Sequence, residues 1–216
     1  ISSHPEAPTK KEFVLLDDRS ILYHSILPFM TVPSLQVVIV TYPEMYRDEC
    51  ESALDNLLFS YATPIHLVAG GATRQESVRN ALEYLEQLDT NISLVAIHDG
   101  ARPFVSQELI IESLATASIV GGAAPALTIH DALKRVDKNG LLVSHIDRSG
   151  VVMIQTPQVF RFPEILEAHN IAKTTSKGYV DDSEIFTDAG YNVATIKGSS
   201  ENIKITTYDD IEKGKR

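Results

Sequence analysis

The feature that most limits how this chain can fold is a short apolar run that ends in a turn and flows into a helix. Leu94-Val95-Ala96-Ile97 is followed at once by His98-Asp99-Gly100-Ala101-Arg102-Pro103-Phe104-Val105, and then by a helix-like segment from Ser106 to Ser118. An apolar run without polar alternation reads as a strand covered on both faces, as in parallel sheets flanked by helices. Such sheets bind ligands off the carboxyl ends of their strands, which is where Asp99 would stand. Gly100 permits a tight turn with positive φ, and Arg102 places a fixed positive charge beside the acid. Taken alone, the same residues describe an ordinary turn with a surface ion pair, so the rest of the chain has to decide.

The same rhythm recurs on both sides of this stretch. Ser20 is placed to cap a helix from Ile21 to about Met30. Leu35 to Val40 reads as a buried strand, Pro43 opens a helix to about Ser60, and His66 to Ala69 is a strand ending in Gly70-Gly71. Val78, Ala81, Leu82, Leu85 and Leu88 have helical spacing within a segment that starts at Arg74. Gly121 to Ala126 is small and extended. This alternation implies an α/β fold, a mainly parallel twisted sheet with helices on both faces. The rhythm breaks at Thr128. Two extended segments, Ala132–Val136 and Leu141–Ile146, flank Asp137-Lys138-Asn139-Gly140, a strong hairpin signal. Exposed strands with apolar residues usually find a partner, so about 128–150 is expected to form a projecting β-arm used for dimerisation; the other reading is an edge hairpin folded onto its own domain. Helices are expected from Phe162 to about Lys173 and from Asp181-Asp182 to Gly190. Strands are expected at Tyr191–Ile196 and Asn202–Thr206, and a last helix from Tyr208. Residues 1–12 read as a loop. With no repeat and no linker, 1–216 is expected to be one domain with an arm.

The formal charge of −10 argues against nucleic acid or anionic lipid as partners. It leaves room for a small phosphorylated substrate if basic residues gather locally, so Lys10, Lys11, Arg74, Arg102, Lys134, Arg135, Arg148 and Lys204 call for individual reading. No run nears the ~20 apolar residues of a membrane span. The start, Ile1-Ser2-Ser3-His4, has no signal-peptide character, and the single Cys50 leaves no internal disulfide. A cytoplasmic setting is the expectation.

Six motifs occur in order: Gly70-Gly71-x-x-Arg74-x-x-Ser77-Val78, His98-Asp99-Gly100-Ala101-Arg102-Pro103, Asp147-Arg148, Thr156-Pro157-Gln158-x-Phe160, Asp181-Asp182, and Asn202-Ile203-Lys204-Ile205-Thr206. Together they resemble the 2-C-methyl-D-erythritol 4-phosphate cytidylyltransferase family of the non-mevalonate isoprenoid pathway, over nearly the whole chain. The resemblance implies a Rossmann-like three-layer nucleotidyltransferase fold, a homodimer through the β-arm, and Mg²⁺. It implies a reaction in which CTP and methylerythritol phosphate give the diphosphocytidyl product and pyrophosphate. It also implies roles. Gly70, Gly71, Arg74 and Ser77 would form the base-binding loop, with Arg74 either touching ligand or bracing the loop. Asp99, Gly100 and Ala101 would lie near the ribose, with Asp99 the metal ligand. Lys11 would be the catalytic lysine at the CTP phosphates. Arg148 and Lys204 would position the acceptor phosphate, Arg148 from the other subunit, and Asp99 and Asp181 would lie in the acceptor site.

The chain departs from the family pattern in three places. The family opens with a strand and a Gly-rich loop ending in arginine, and this stretch is not found before Lys10; either it lies outside these residues or the site is impaired. Lys10 replaces the usual proline before the lysine, so Lys10 and Lys11 compete for the role. Ala132 and Val180 stand where threonines are common. A ribitol-5-phosphate cytidylyltransferase, or a nucleotide-binding protein without catalysis, are the alternative readings. The chemistry needs no general base, because a phosphomonoester with second pKa near ~6 is largely ionised at pH 7. His98 is accordingly read as structural.

Overall fold

A computed structural model of the chain describes residues 10–88 and 90–214. Most of the loop expected over residues 1–12 lies outside them. The described chain opens with a 3₁₀ turn, Lys11–Phe13, and a small antiparallel hairpin of β1 (Leu15–Leu16) and β2 (Arg19–Ser20). Then come α1 (Ile21–Met30), β3 (Val38–Tyr42), α2 (Arg47–Ser60), β4 (Ile65–Ala69), α3 (Arg74–Glu86), β5 (Leu94–Ile97), α4 (Gln107–Val120) and β6 (Gly122–Thr128). The remainder is β7 (Leu133–Val136), β8 (Leu142–Ile146), β9 (Val152–Ile154), β10 (Gln158–Arg161), α5 (Glu164–Lys173), α6 (Asp182–Asp188), β11 (Val193–Lys197) and α7 (Tyr208–Gly214).

Helix starts follow local chemistry. The side chains of Ser20, Thr73, Ser106 and Asp181 each accept the backbone N–H three residues on, at the heads of α1, α3, α4 and α6. Such a cap contributes about 1 kcal/mol by satisfying an otherwise orphaned donor.

The main sheet runs β11-β6-β10-β5, with β9 also on β6. β11 and β6 are parallel, as are β3 and β4, but β10 is antiparallel to both β5 and β6. The mixed character has a simple cause. The connection leaving β6 is a hairpin rather than a helical crossover, so the returning chain lies antiparallel against β6, first as β9 and then as β10. Helices cover both faces: Ile165 and Leu166 of α5 with Ile185 and Phe186 of α6 pack on Phe160 of β10, whereas Ala117 of α4 packs on Ala123 and Val159.

Two expectations are corrected. The strand placed at 35–40 begins only at Val38 and runs on to Tyr42. Asn202–Thr206 is not a strand among the described residues: local turns at Asn202 and Ile203, the Ile205 N–H to Ala101 carbonyl bond at 2.8 Å, and buried side chains hold it instead of a ladder. The hairpin β7–β8 does form, with its turn closed by Asp137 Oδ1 accepting from the Asn139 and Leu141 amides. It leaves Val136, Leu141, Leu142 and Val143 exposed.

β3 pairs only with β4, and β5 only with β10, among the described residues. Consecutive residues of both strands, Val38–Thr41 and Leu94–His98, line a slot of about 480 Å³ between them. Because neighbouring residues of a strand point to opposite faces, lining by consecutive residues means that the backbone edges face the slot. Leu22 of α1, Leu82 of α3 and Ile110 of α4 also line it.

Candidate active site

Asp99 stands where the sequence places it, just past the carboxyl end of β5, and three cations converge on it. Lys204 Nζ is 3.0 Å and Arg102 Nε 3.3 Å from Oδ2, and Arg74 Nε is 3.6 Å from Oδ1. The Asp99 side chain is only 12% exposed, while those of Lys204 and Arg74 are 41% and 36% exposed. Burial by itself raises the Asp99 carboxyl, but Lys204, Arg74 and Arg102 outweigh it, and the net shift is downward. The carboxylate therefore stays charged, and the cations present an open positive rim on an acidic chain.

Each of these side chains is held by local structure. Asn202 and Ile205 are fully buried on either side of Lys204. Asn202 Nδ2 donates to the Thr156 carbonyl at 2.9 Å, and the Asn202 carbonyl accepts from Arg102 Nη1 at 2.8 Å and Gln155 Nε2 at 3.1 Å. Thr156 Oγ1 accepts the Asp99 amide at 3.0 Å and lies 3.0 Å from His98 Nδ1, while His98 Nε2 lies 3.1 Å from the Arg102 carbonyl. A carbonyl only accepts, so Nε2 carries the proton and Nδ1 accepts from the Thr156 hydroxyl. Burial pushes His98 down to about 4. A neutral imidazole bonded at both nitrogens is a brace, in keeping with its reading as structural.

Gly100 corrects an expectation. It is not among the glycines with positive φ. A Cβ at this position would lie 3.2 Å from Leu22 Cδ1, a crowded contact, and 3.8 Å from Glu12 Cγ, an ordinary one. The same contact shows that the turn bearing Lys11 sits against the carboxyl end of β5. The Lys11 ammonium has no hydrogen-bond or ion-pair partner among the described residues, whereas Lys10 lies over the Tyr46 ring at 5.8 Å. Ala101 is buried and offers its carbonyl to Ile205.

Gly70 and Gly71 form the turn between β4 and α3. A Cβ on Gly70 would meet Ser77 Oγ at 2.9 Å, and one on Gly71 would meet Glu76 Cβ at 2.3 Å. Ser77 Oγ accepts the Gly71 amide at 3.0 Å and donates to the Thr73 carbonyl at 2.9 Å. Its hydroxyl thus braces the loop.

Asp181 caps α6 and is heavily used: Oδ1 accepts from Ser183 Oγ and the Glu184 amide, and Oδ2 from Gln158 Nε2. Its neighbour Asp182, part of the same motif but given no role from the sequence, is the acid that reaches the cationic group. Asp182 is fully buried, with Oδ2 at 2.7 Å from Arg74 Nη2 and Oδ1 at 3.1 Å from Nε2 of the fully buried His169. Arg148 is not brought to this cluster within one chain. Its guanidinium donates to the His130 carbonyl at the base of the arm. Val180 is exposed and lines a separate cavity of about 410 Å³ with Asp181, Ser183 and Glu184.

The sequence and fold that carry this cluster match known proteins. The model of the family "2-C-methyl-D-erythritol 4-phosphate cytidylyltransferase" matches residues 4–215. A protein of that name from Clostridium beijerinckii is 39% identical over 202 residues, 93% of this chain and 86% of the relative. A "Bifunctional enzyme IspD/IspF" of Rhodopseudomonas palustris is 38% identical over 94% of this chain, which spans only 49% of that longer protein. The crystal structure of the Thermus thermophilus 2-C-methyl-D-erythritol 4-phosphate cytidylyltransferase superposes with a TM-score of 0.79 at 28% identity, covering 95% of this chain and 92% of the other. With the family model matched over residues 4–215 and a relative 39% identical over 93% of the chain, this chain belongs to the 2-C-methyl-D-erythritol 4-phosphate cytidylyltransferase family.

Proposed function

We propose that the chain transfers a cytidylyl group from CTP to 2-C-methyl-D-erythritol 4-phosphate, releasing pyrophosphate. The observation that carries this reading is the meeting of Lys204, Arg102 and Arg74 on the buried Asp99 at the carboxyl end of β5, in a member of this family. An oxygen of the acceptor phosphate attacks the α-phosphorus of CTP. The new P–O bond forms as the bond to the bridging oxygen of pyrophosphate breaks. The acceptor is already ionised, so the barrier is dominated by bringing two polyanions together, and positioning with charge neutralisation supplies the rate. Lys204 acts as a point charge on the acceptor phosphate, and Lys11, without a hydrogen-bond or ion-pair partner among the described residues and on the turn whose Glu12 lies against Gly100, reaches for the triphosphate. The brace on Gly70-Gly71 keeps the loop open for the base.

The donor set offers the implied Mg²⁺ one carboxylate, Asp99, whose Oδ1 lies 3.6 Å from Arg74 Nε, beyond good hydrogen-bond length. Among the described residues no group of three or more His, Cys, Asp or Glu side chains is placed to hold a metal, and magnesium commonly uses one or two carboxylates with substrate phosphates and waters. Asp99 would hold it, and the ion would neutralise triphosphate charge.

The active form is a homodimer in this reading. Val136, Leu141, Leu142 and Val143 leave an apolar arm uncovered, and a second copy covers it. Arg148, at the base of the same arm, is then donated to the neighbouring site. Among the described residues no helix is long and apolar enough to cross a membrane, and a single free Cys50 suits the reducing cytoplasm.

The test is CTP turnover, read as pyrophosphate release, with methylerythritol phosphate and ribitol 5-phosphate in parallel. Faster turnover of ribitol 5-phosphate overturns the acceptor assignment. Mixing Arg148→Ala with Lys204→Ala subunits is expected to restore part of the activity, because one site of a mixed dimer contains both residues. No recovery after verified subunit exchange overturns the cross-subunit role of Arg148.

A further inference from the structure

We infer that Asp182, pinned by His169, is a positioning residue that holds Arg74 at its distance from Asp99. This rests on the proposed role of Asp99 in the site. The bonding at Asp182 leaves it little freedom. A carboxylate has no donors, so His169 Nε2 carries the proton that binds Oδ1, and Oδ2 is left for Arg74. Both side chains are out of water, His169 Nδ1 has no hydrogen-bond partner, and Asp182 Oδ2 has none either beyond its 2.7 Å ion pair with Arg74. A buried carboxylate must be matched by a cation or strong donors, and Arg74 is the one cation that reaches it among the described residues.

The guanidinium is a rigid plane, so holding Nη2 at 2.7 Å from Asp182 fixes where Nε can go. Nε ends at 3.6 Å from Asp99 Oδ1, beyond good hydrogen-bond length, while Lys204 and Arg102 occupy Oδ2 at 3.0 and 3.3 Å. Arginine and carboxylate ordinarily close into a short, often bidentate pair. Asp182 prevents that closure. Asp99 thereby keeps Oδ1 free of a close ion pair with Arg74, and Arg74 serves as a spacer between two acids. His169 and Asp182 lie on α5 and α6, so the packing of these helices is transmitted to the spacing at Asp99.

The experiment is a double-mutant cycle of Asp182→Asn and Arg74→Gln, with thermal unfolding run on each variant and a crystal structure of Asp182→Asn. If Asp182 acts through Arg74, Asp182→Asn lowers kcat about tenfold, and the double variant is no slower than Arg74→Gln alone, because the interaction is already gone. Arg74 Nε is expected to close to below ~3.2 Å from Asp99. Losses that multiply, or an unchanged Arg74–Asp99 spacing, overturn the inference. Should Asp182→Asn fail to fold, Asp182→Glu replaces it. Its extra methylene shifts Arg74, so an altered spacing with severalfold lower kcat supports the inference, and wild-type spacing with wild-type turnover overturns it. A wild-type chain that turns over neither acceptor defeats the proposed function, whereas the crystallographic spacing still decides the role of Asp182.

Discussion

Replacing Lys204 with methionine separates the catalytic weight of one charge from its structural weight. Methionine keeps an unbranched apolar stem and removes the ammonium. In the fold, Lys204 Nζ pairs with Asp99 at 3.0 Å on a side chain that is 41% exposed. An ion pair that open contributes about 0.2–1 kcal/mol. The segment is held independently by buried Asn202 and Ile205, so the loss should stay in that range, a fall in Tm of at most about 2–4 °C for a chain of this size. In the reaction, Lys204 would neutralise the acceptor phosphate through a charge-assisted hydrogen bond of roughly 1.5–3 kcal/mol. That corresponds to a loss in kcat/KM of about ten- to 150-fold. The assay is pyrophosphate release at saturating CTP with the acceptor varied, beside thermal unfolding of the same preparation. A folded variant whose kcat/KM stays within about twofold of wild type refutes the phosphate role. A fall in Tm of ~8 °C or more shows instead that the lysine holds the segment together.

Other outcomes follow from the same geometry. Because His98 is held at about 4 rather than 6.5, the unfolded chain binds more protons between those values; stability is full above 6.5 and falls as pH drops through the window. The loss is roughly 3 kcal/mol at pH 4, and His98→Asn should flatten that part of the pH profile in urea titrations; an unchanged slope assigns it to another group. Leu142, 69% exposed on the arm, is expected to lie in a dimer contact, so sedimentation of Leu142→Glu should show a single-chain mass where wild type shows twice that; equal masses remove the arm from the interface. The edges of β3 and β5 that have no ladder partner among the described residues should accept an extended apolar peptide, raising Tm, while a polar peptide of equal length should not; equal effects of the two show that the slot does not select a strand.

The sequence by itself determined most of what is local. Ser20, Ser106 and Asp181 mark helix starts because a cap depends on a side chain and an amide three residues away. The Asn139-Gly140 turn identifies the arm for the same reason, since Gly140 takes a φ of 82° that few other residues tolerate. Asp99 was legible because a strand end followed by a helix leaves few places for a ligand. Tertiary structure alone decided matters that join distant residues. The Asn202–Thr206 segment alternates like a strand, yet its register is set by Asn202 reaching Thr156 and by Ile205 reaching Ala101. β10 runs antiparallel because the arm returns the chain beside β6, a consequence of topology that no residue of β10 encodes. Gly100 is crowded by Leu22, a neighbour only the fold supplies, and its torsion is not one that demands glycine. Of two adjacent aspartates, the exposed-looking Asp181 became a cap and Asp182 turned inward to Arg74 and His169. That choice follows from the direction in which α6 leaves its cap, and only the packing of α5 against α6 supplies the buried imidazole that makes an interior carboxylate tolerable.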